Sequence, residues 1–281
     1  MPRIRIAHSP DSDDAFMFYA LAARKINTED REYEHQLADI ETLNQRARQG
    51  ELEVTAVSFH AYAYLQERYA LLAHGASVGD RYGPRIVAQG PPPAADVDGA
   101  LTGKLVAIPG ERTTAALALR LFQPELETVV VPFDRIEDYV LEGRADAGVL
   151  IHEGQLSYAD RGLQLWRDLG EWWGEETGLP LPLGGNVVRR DLGPDLIAAV
   201  ARDLLASIRY GLDHRAEALE HARRYSRGLD AERTDRFVGM YVNDFTVHLG
   251  SRGREAVEQL LRRAWRAGLL PHEVRVELVE A

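Results

Sequence analysis

The amino-acid sequence predicts an α/β protein made of two βα lobes with a ligand cleft between them. Three observations support this fold class. Residues before 90 alternate between strand-like and helix-like segments, the Gly-Pro-Pro-Pro run at 90–93 interrupts that pattern, and a second alternating series follows it. A glycine- and proline-rich segment at 178–185 then leads into a strand-like stretch that returns to the first series. A chain of 281 residues is long enough for two domains.

The first alternating series contains three strands, each followed by a helix. One helix stops at Gly50, which suits the left-handed backbone that often ends helices. The predicted strands are 3–7, 33–37 and 53–57, and the predicted helices are 15–23, 39–49 and 58–69. This βαβαβα order favours a sheet whose strands are mainly parallel.

The second series repeats the same plan, and helices complete the chain. Its predicted strands are 104–108, 128–132 and 147–151, and its predicted helices are 113–122 and 134–142. After the return comes a strand at 186–189 and helices near 194–209, 213–226, 230–244 and 251–267. We therefore predict a discontinuous first lobe, residues 1–90 with 187–281, and a second lobe, residues 91–186. A ligand would lie between the lobes, at the carboxyl ends of the strands.

Composition excludes several classes of function. The formal net charge of -11 argues against nucleic acid and anionic membranes as partners. The absence of cysteine excludes disulfides, zinc–thiolate sites and thiol nucleophiles. Charged residues at Arg3 and Arg5 interrupt what would be the apolar core of a signal peptide, so we predict a cytoplasmic protein. The sequence does not determine the oligomeric state, and a homodimer is one arrangement that it allows.

Three strand-to-helix turns carry hydroxyl or acidic residues where an anion could bind. They are the Ser9–Asp14 turn, Ser58, and the turn at 110–114 with Thr113 and Thr114. The first N–H groups of a helix have no partner within the helix and can bind an anion. Ordinary helix capping is the better explanation of each turn when it is taken alone. The aspartates of the first turn are too closely spaced for a calcium loop, and we predict no metal site there.

His152 is the candidate for acid–base chemistry. It directly follows the predicted strand at 147–151, where ligand-facing side chains emerge. Its ordinary pKa of roughly 6.5 lets an imidazole accept a proton near neutral pH. A hydrogen-bonded loop histidine without a catalytic role would occupy the same position. His60 and His8 are weaker candidates.

Six segments of the chain form a recognisable set: SPDSDDAFMFYAL at 9–21, DIETLN at 39–44, VSFHAY at 57–62, PG at 109–110 with TT at 113–114, ADAGVLIHEG at 145–154, and LPLPLG at 179–184. These segments resemble those of the 1,4-dihydroxy-6-naphthoate synthases of the futalosine route to menaquinone. They extend over about two-thirds of the chain. The opening segment and the segment with His152 are the more specific ones.

The resemblance implies the bilobal, periplasmic-binding-protein-like fold (type 2), used as a lyase without a cofactor. The reaction converts cyclic dehypoxanthinylfutalosine to 1,4-dihydroxy-6-naphthoate, so the partner is a small carboxylate substrate. By the same resemblance His152 is the general base. The substrate-binding residues that it implies are Ser9, Asn44, Ala56, Val57, Ser58, Thr113 and Thr114. Ala56 stands where the family commonly has lysine.

Two other functions remain open at the level of the sequence. A non-catalytic protein that binds a carboxylate metabolite would have the same fold. The chorismate dehydratase of the same pathway also shares the fold, although the segments around residues 9–21 and 151–154 resemble it less. An assay with both substrates distinguishes these functions.

Overall fold

A computed structural model describes residues 3–93 and 97–281, which fold into two sheets flanked by helices. Residues 1, 2 and 94–96, which the predicted lobe ranges include, lie outside the described residues. The first sheet contains β1 (Arg3–His8), β2 (Glu32–Leu37), β3 (Val54–Ser58), β4 (Tyr69–Leu72), β5 (Ser77–Gly79), β11 (Leu181–Arg189) and β12 (Leu278–Val279). The second contains β6 (Arg85–Gln89), β7 (Leu105–Ile108), β8 (Glu127–Val130), β9 (Ala147–Leu150) and β10 (Leu163–Asp168). The predicted α/β class is confirmed.

Helices connect most of the strands and form the C-terminal part of the chain. They are α1 (Ser12–Met17), α2 (Tyr19–Ala22), α3 (Ile40–Gln49), α4 (Phe59–Tyr62), α5 (Val97–Ala100), α6 (Thr114–Phe122), α7 (Ile136–Leu141), α8 (Leu169–Thr177), α9 (Pro194–Asp213), α10 (Arg215–Ala222), α11 (Ala231–Tyr241), α12 (Asp244–Val247) and α13 (Gly250–Arg266). The C-terminal helices agree with the prediction. The predicted helix at 58–69 is wrong beyond Tyr62, because turns replace it and β4 begins at Tyr69.

Both sheets are mixed, with three parallel strands at one edge, β3-β1-β2 in the first and β9-β7-β8 in the second. The first has the order β12-β4-β11-β3-β1-β2, with β5 on β11, and the second has the order β10-β6-β9-β7-β8. The βα units predicted from the sequence pair in parallel, as β1 does with β2 and β3, and β7 with β8 and β9. Strand β11 runs antiparallel to β3, and β6 runs antiparallel to β9.

The strand pairing shows where the chain passes between the sheets. Strand β6 at Arg85–Gln89 already belongs to the second sheet, and β11 at Leu181–Arg189 already belongs to the first. The passages therefore lie at 80–84 and between the end of α8 and Leu181. The residue ranges of the two lobes remain a prediction.

Burial follows from the position of each strand in its sheet. All five residues of β3 and all four of β9 are buried, as expected for strands covered on both faces. The carboxyl ends of these strands lead directly to Ser58 and to Ile151. In the described part of the chain, none of the helices has both the length and the apolar character needed to cross a bilayer.

Candidate functional site

A cavity lies between the two sheets, at the ends of β1, β3 and β9. The space between the protein atoms here is about 760 Å³, with the open solvent at its mouth included. It is lined by Ser9, Asp11, Asp13, Asp14, Ile40, Ala56, Val57, Ser58, Gly75, Ser77, Pro84, Thr113, Thr114, Ala115, Ile151, Gln155, Leu183, Gly184, Gly185, Asn186 and Tyr241. Six of the seven predicted substrate-binding residues are therefore in its wall.

The first turn folds tightly around its own carboxylates. The N–H of Ser9 donates to Asp14 Oδ2 at 2.7 Å, and the Ser9 hydroxyl donates to Asp11 Oδ2 at 2.5 Å. Asp11 has the extended backbone of a residue preceding a helix, while its carboxylate makes no hydrogen bond that caps the helix. The turn thus presents acidic side chains to the cavity, where the sequence had suggested a place for an anion.

Ser58 is positioned by Asn44, the one predicted substrate-binding residue that does not line the cavity. The N–H of Ser58 donates to Asn44 Oδ1 at 2.9 Å, and Asn44 Nδ2 lies 3.2 Å from Ser58 Oγ. Asn44 is fully buried in α3. Asn44 therefore fixes Ser58 at the end of β3 without itself lining the cavity.

The third turn caps α6 and connects it to the opposite sheet. The Thr113 hydroxyl accepts from the N–H of Ala116 at 3.2 Å, the usual bond of a helix N-cap. The Thr114 hydroxyl donates to Leu183 O of β11 and accepts from the N–H of His60. Both hydroxyls thus serve the fold. The N–H groups of the first turn of α6, which have no partner within a helix, are the groups that can meet an anion.

The charge of the cavity wall is acidic. Among the residues that the structure describes, the wall contains three aspartates and no arginine, lysine or histidine. Burial raises the pKa of Asp14 to about 7, against the opposing bond from the Ser9 N–H. Burial, together with the carboxylates of Asp14, Asp11 and Glu153, raises the pKa of Asp13 well above its ordinary range. These carboxyl groups can therefore hold protons near neutral pH.

Arg227 and Glu153 connect the acidic turn to the second sheet. Arg227 Nη2 donates to Asp11 Oδ1 at 3.0 Å, its Nε lies 3.4 Å from Glu153 Oε2, and its guanidinium lies over the Phe133 ring. Glu153 Oε1 accepts from the Ser12 N–H at 3.0 Å and from the Ser12 hydroxyl at 2.8 Å. Burial, and after it the Asp11 carboxylate, raises the pKa of Glu153 to about 7.

His152 lies behind the cavity wall, between the lining residues Ile151 and Gln155. Its ring is buried and packs edge-on against Phe133. Nδ1 accepts from the Gly154 N–H at 2.9 Å, and Nε2 lies 3.0 Å from Phe133 O, so the neutral ring carries its proton on Nε2. Burial lowers the pKa of His152, and the carboxylates of Asp11 and Glu137 oppose this effect.

The cavity also contains residues that the sequence did not indicate. Asn186 was assigned only to a strand, and Tyr241 and Gln155 were not singled out. The Tyr241 hydroxyl donates to Gln155 Oε1 at 2.7 Å, which joins α11 to the segment after β9. No local signal marks these residues, because only the pairing of distant elements brings them to the cavity.

Comparison with known proteins establishes the family. The family model described as menaquinone biosynthesis matches residues 4–266. The chain belongs to this menaquinone biosynthesis family. Two curated members are the 1,4-dihydroxy-6-naphthoate synthases of Thermus thermophilus and Streptomyces coelicolor. The first is 40% identical over 269 residues, 96% of each chain, and the second is 35% identical over 274 residues, 95% of each chain.

Solved structures agree with this family assignment. A crystal structure of an Archaeoglobus fulgidus protein is 48% identical, with a TM-score of 0.90 over 95% of this chain and 98% of that one. The alkanesulfonate-binding protein of Xanthomonas axonopodis has a TM-score of 0.73 at 14% identity, over 98% of this chain and 96% of that one. The latter likeness concerns the fold alone. It confirms the bilobal, periplasmic-binding-protein-like fold class for this member of the menaquinone biosynthesis family.

Proposed function

We propose that this protein is a 1,4-dihydroxy-6-naphthoate synthase, a lyase that converts cyclic dehypoxanthinylfutalosine to 1,4-dihydroxy-6-naphthoate. One observation carries the proposal. The cavity between the sheets is walled by Ser9, Ser58, Thr113 and Thr114, in a chain whose 40% and 35% identical relatives are named for this activity. The partner is accordingly a small carboxylate substrate. The cytoplasmic location and the homodimer stay predictions.

The substrate carboxylate is expected at the helix starts rather than at the acidic turn. The first turn of α6, at Thr114 and Ala115, supplies N–H groups, and Ser58 supplies a hydroxyl beside them. Ala56 and Val57 form the adjacent wall, and Ala56 leaves space there without adding a charge. Since no cation is in the described wall, these neutral donors and the protonated carboxyls of the turn are what can oppose the substrate charge.

His152 is proposed as the general base. In the closed arrangement both ring nitrogens are bonded to the backbone, so the ring must give up one of these bonds to reach a substrate. Because Nε2 carries the proton, the lone pair that can accept a proton is on Nδ1, so the bond that must be given up is the one from the Gly154 N–H. In its buried position the ring is a neutral imidazole, because burial disfavours its charged form.

The test is an assay of the purified protein with two substrates. Incubation with cyclic dehypoxanthinylfutalosine is expected to yield 1,4-dihydroxy-6-naphthoate, followed by its absorbance and by mass spectrometry. Incubation with chorismate is expected to yield nothing. Binding of the futalosine derivative without turnover would instead favour a carboxylate-binding protein, and dehydration of chorismate would favour the dehydratase. Either result would refute the proposal.

A further inference from the structure

Asn186 occupies a specific place in the wall of the cavity. It lies in β11, and the antiparallel register pairs it directly with Ala56 of β3. Residues paired in this way project from the same face of a sheet, as do residues two positions along a strand. Asn186, Ala56 and Ser58 therefore share one face of the first sheet, and all three line the cavity. Beside the amide, Ala56 offers only a methyl group.

The amide of Asn186 is held in one orientation. Its Nδ2 donates to the carbonyl oxygen of Gly75 at 2.8 Å. Gly75 has a φ of +79°, and a Cβ at this position would lie 2.4 Å from Asn186 Nδ2. Glycine is thus required both by the backbone conformation and by the space that the amide fills. Because the donor end faces Gly75, the acceptor Oδ1 is directed elsewhere.

The Oδ1 atom is an acceptor without a partner. Asn186 is only 1% exposed, and across residues 3–93 and 97–281 no donor lies within hydrogen-bonding distance of its Oδ1. Buried polar atoms in native proteins are nearly always paired, so each exception requires an explanation. In a cavity wall, the simplest explanation is a partner on the bound molecule.

We propose that Asn186 Oδ1 accepts a hydrogen bond from a hydroxyl group of the substrate and so determines which end of the molecule faces β11. The inference rests on the proposed function and deepens it. A carboxylate has no proton to donate, and Oδ1 would repel it. The sugar-derived part of the substrate carries hydroxyl groups, which fit. The substrate is then bound at two ends, its carboxylate at the start of α6 and its hydroxyl-bearing end at Asn186.

The test compares the substrate affinity of three variants with the wild type. Asn186→Leu has a similar volume and no acceptor, and we expect KM to rise roughly fivefold or more, since a substrate hydroxyl is left unpaired. The value of kcat should change less, because the bond is present in the bound ground state as well. Asn186→Asp retains an oxygen toward the cavity, and when protonated it can still donate to Gly75. We expect it to restore much of the affinity at acidic pH.

Asn243→Leu is the matched control. The Asn243 amide is fully paired, with Oδ1 accepting from the Phe245 N–H at 3.0 Å and Nδ2 donating to Val78 O at 3.0 Å, and it is outside the cavity wall. This variant should lower Tm and leave KM unchanged. Asn186→Leu loses the bond to Gly75 O and should also lower Tm, with a wild-type circular dichroism spectrum, but of these two variants only Asn186→Leu should raise KM.

Each outcome decides between the two proposals. If the wild type produces the naphthoate and Asn186→Leu has an unchanged KM, the inference about Asn186 is wrong and the proposed function stands. If the wild type does not turn over the futalosine derivative, the proposed function fails and the inference fails with it. A raised KM in Asn186→Leu together with an unchanged KM in Asn243→Leu supports both the proposed function and the inference about Asn186.

Discussion

The imidazole of His152 is held by two backbone groups, and this geometry separates a structural role from a catalytic one. Nδ1 caps the short 3-10 helix at Glu153–Leu156 by accepting from the Gly154 N–H, while Nε2 faces Phe133 O. A Cβ at Gly154 would lie 2.7 Å from the His152 ring, so glycine there makes room for the ring. The capping role alone explains the position of the His152 ring. To act as a general base, the ring would have to leave this capping position during turnover.

Replacing His152 with two different residues distinguishes these roles. Asparagine is a good N-cap and can still accept from the Gly154 N–H, but it cannot act as a base near neutral pH. We expect His152→Asn to fold with a Tm near that of the wild type and to lose at least about 10²-fold in kcat, a typical contribution of a general base. His152→Ala should lose both activity and some stability.

The matched control for this experiment is His74→Asn. His74 is similarly buried and bonded to the backbone through Nδ1, at 2.7 Å from Val247 O, and like His152 it does not itself line the cavity. It should retain normal kcat. Wild-type turnover by His152→Asn would remove His152 from the mechanism, and the protonated carboxyls of Asp13 and Asp14 would become the groups to examine.

Strand β9 is the part of the second sheet that reaches the cavity. It packs against α7 at Gly148, which has no side chain. A Cβ at Gly148 would lie 2.4 Å from Ile136 Cγ2 and 2.9 Å from Val140 Cγ2, both on α7 and fully buried. Such distances are too short for real Cβ atoms. Strand and helix would have to separate, and the segment with Ile151 and His152 would shift with the strand.

Two glycine-to-alanine substitutions test this packing. We expect Gly148→Ala to lower the free energy of unfolding by about 1–3 kcal/mol, the usual effect of overpacking a core. Gly174→Ala, within α8, should raise it by about 0.5–1 kcal/mol, because alanine restricts the unfolded chain and its Cβ would lie 3.5 Å from the nearest heavy atom. Urea denaturation monitored by circular dichroism measures both. Equal stability of the two variants would contradict the packing argument.

Elements with a strong local signal were predictable from the sequence, and those that depend on distant pairing were not. Helix α3 carries an N-cap, a periodic apolar face and a terminal glycine, and its bounds agree with the prediction to within a residue. The short strands β4, β5 and β6 were missed, because segments of three to five residues, most of them buried, carry little periodicity. The place of Asn186 in the cavity wall was missed for a related reason, since it depends on the register between β11 and β3.

At the scale of the whole molecule, the two sheets are connected across the cavity through buried polar groups. Glu153, after β9, reaches Ser12 at the start of α1, and Gln155 reaches Tyr241 of α11. Arg227 bridges Asp11 and Glu153. Because burial raises the pKa of Glu153, and also that of Asp14 in the turn at 9–14, the folded arrangement favours the protonated forms of these two carboxyls. The stability of the closed molecule should therefore depend on pH.

The direction of this dependence follows from the raised pKa values. The pKa of Glu153 rises from 4.5 to about 7 and that of Asp14 from 3.8 to about 7, so the folded state binds more protons than the unfolded state between about pH 4 and pH 7. Their stabilising contribution is complete below this window and is lost as the pH rises through it, by at most about 1.4 kcal/mol per pH unit for each group. Other titrating groups also make the free energy of unfolding depend on pH, so the contribution of Glu153 is isolated by comparing variants.

Glu153→Gln is expected to flatten the pH profile of stability, because the amide keeps an oxygen for Ser12 and has no carboxyl to ionise. Relative to the wild type, the variant should gain stability as the pH rises from 5 to 7.5, as measured by urea denaturation at several pH values. Glu111→Gln, at an exposed position, serves as the control and should run parallel to the wild type. If the difference between Glu153→Gln and the wild type were constant with pH, Glu153 would not be protonated in the folded molecule. The contact between the two sheets would then be an ordinary ion pair with Arg227, insensitive to pH in this range.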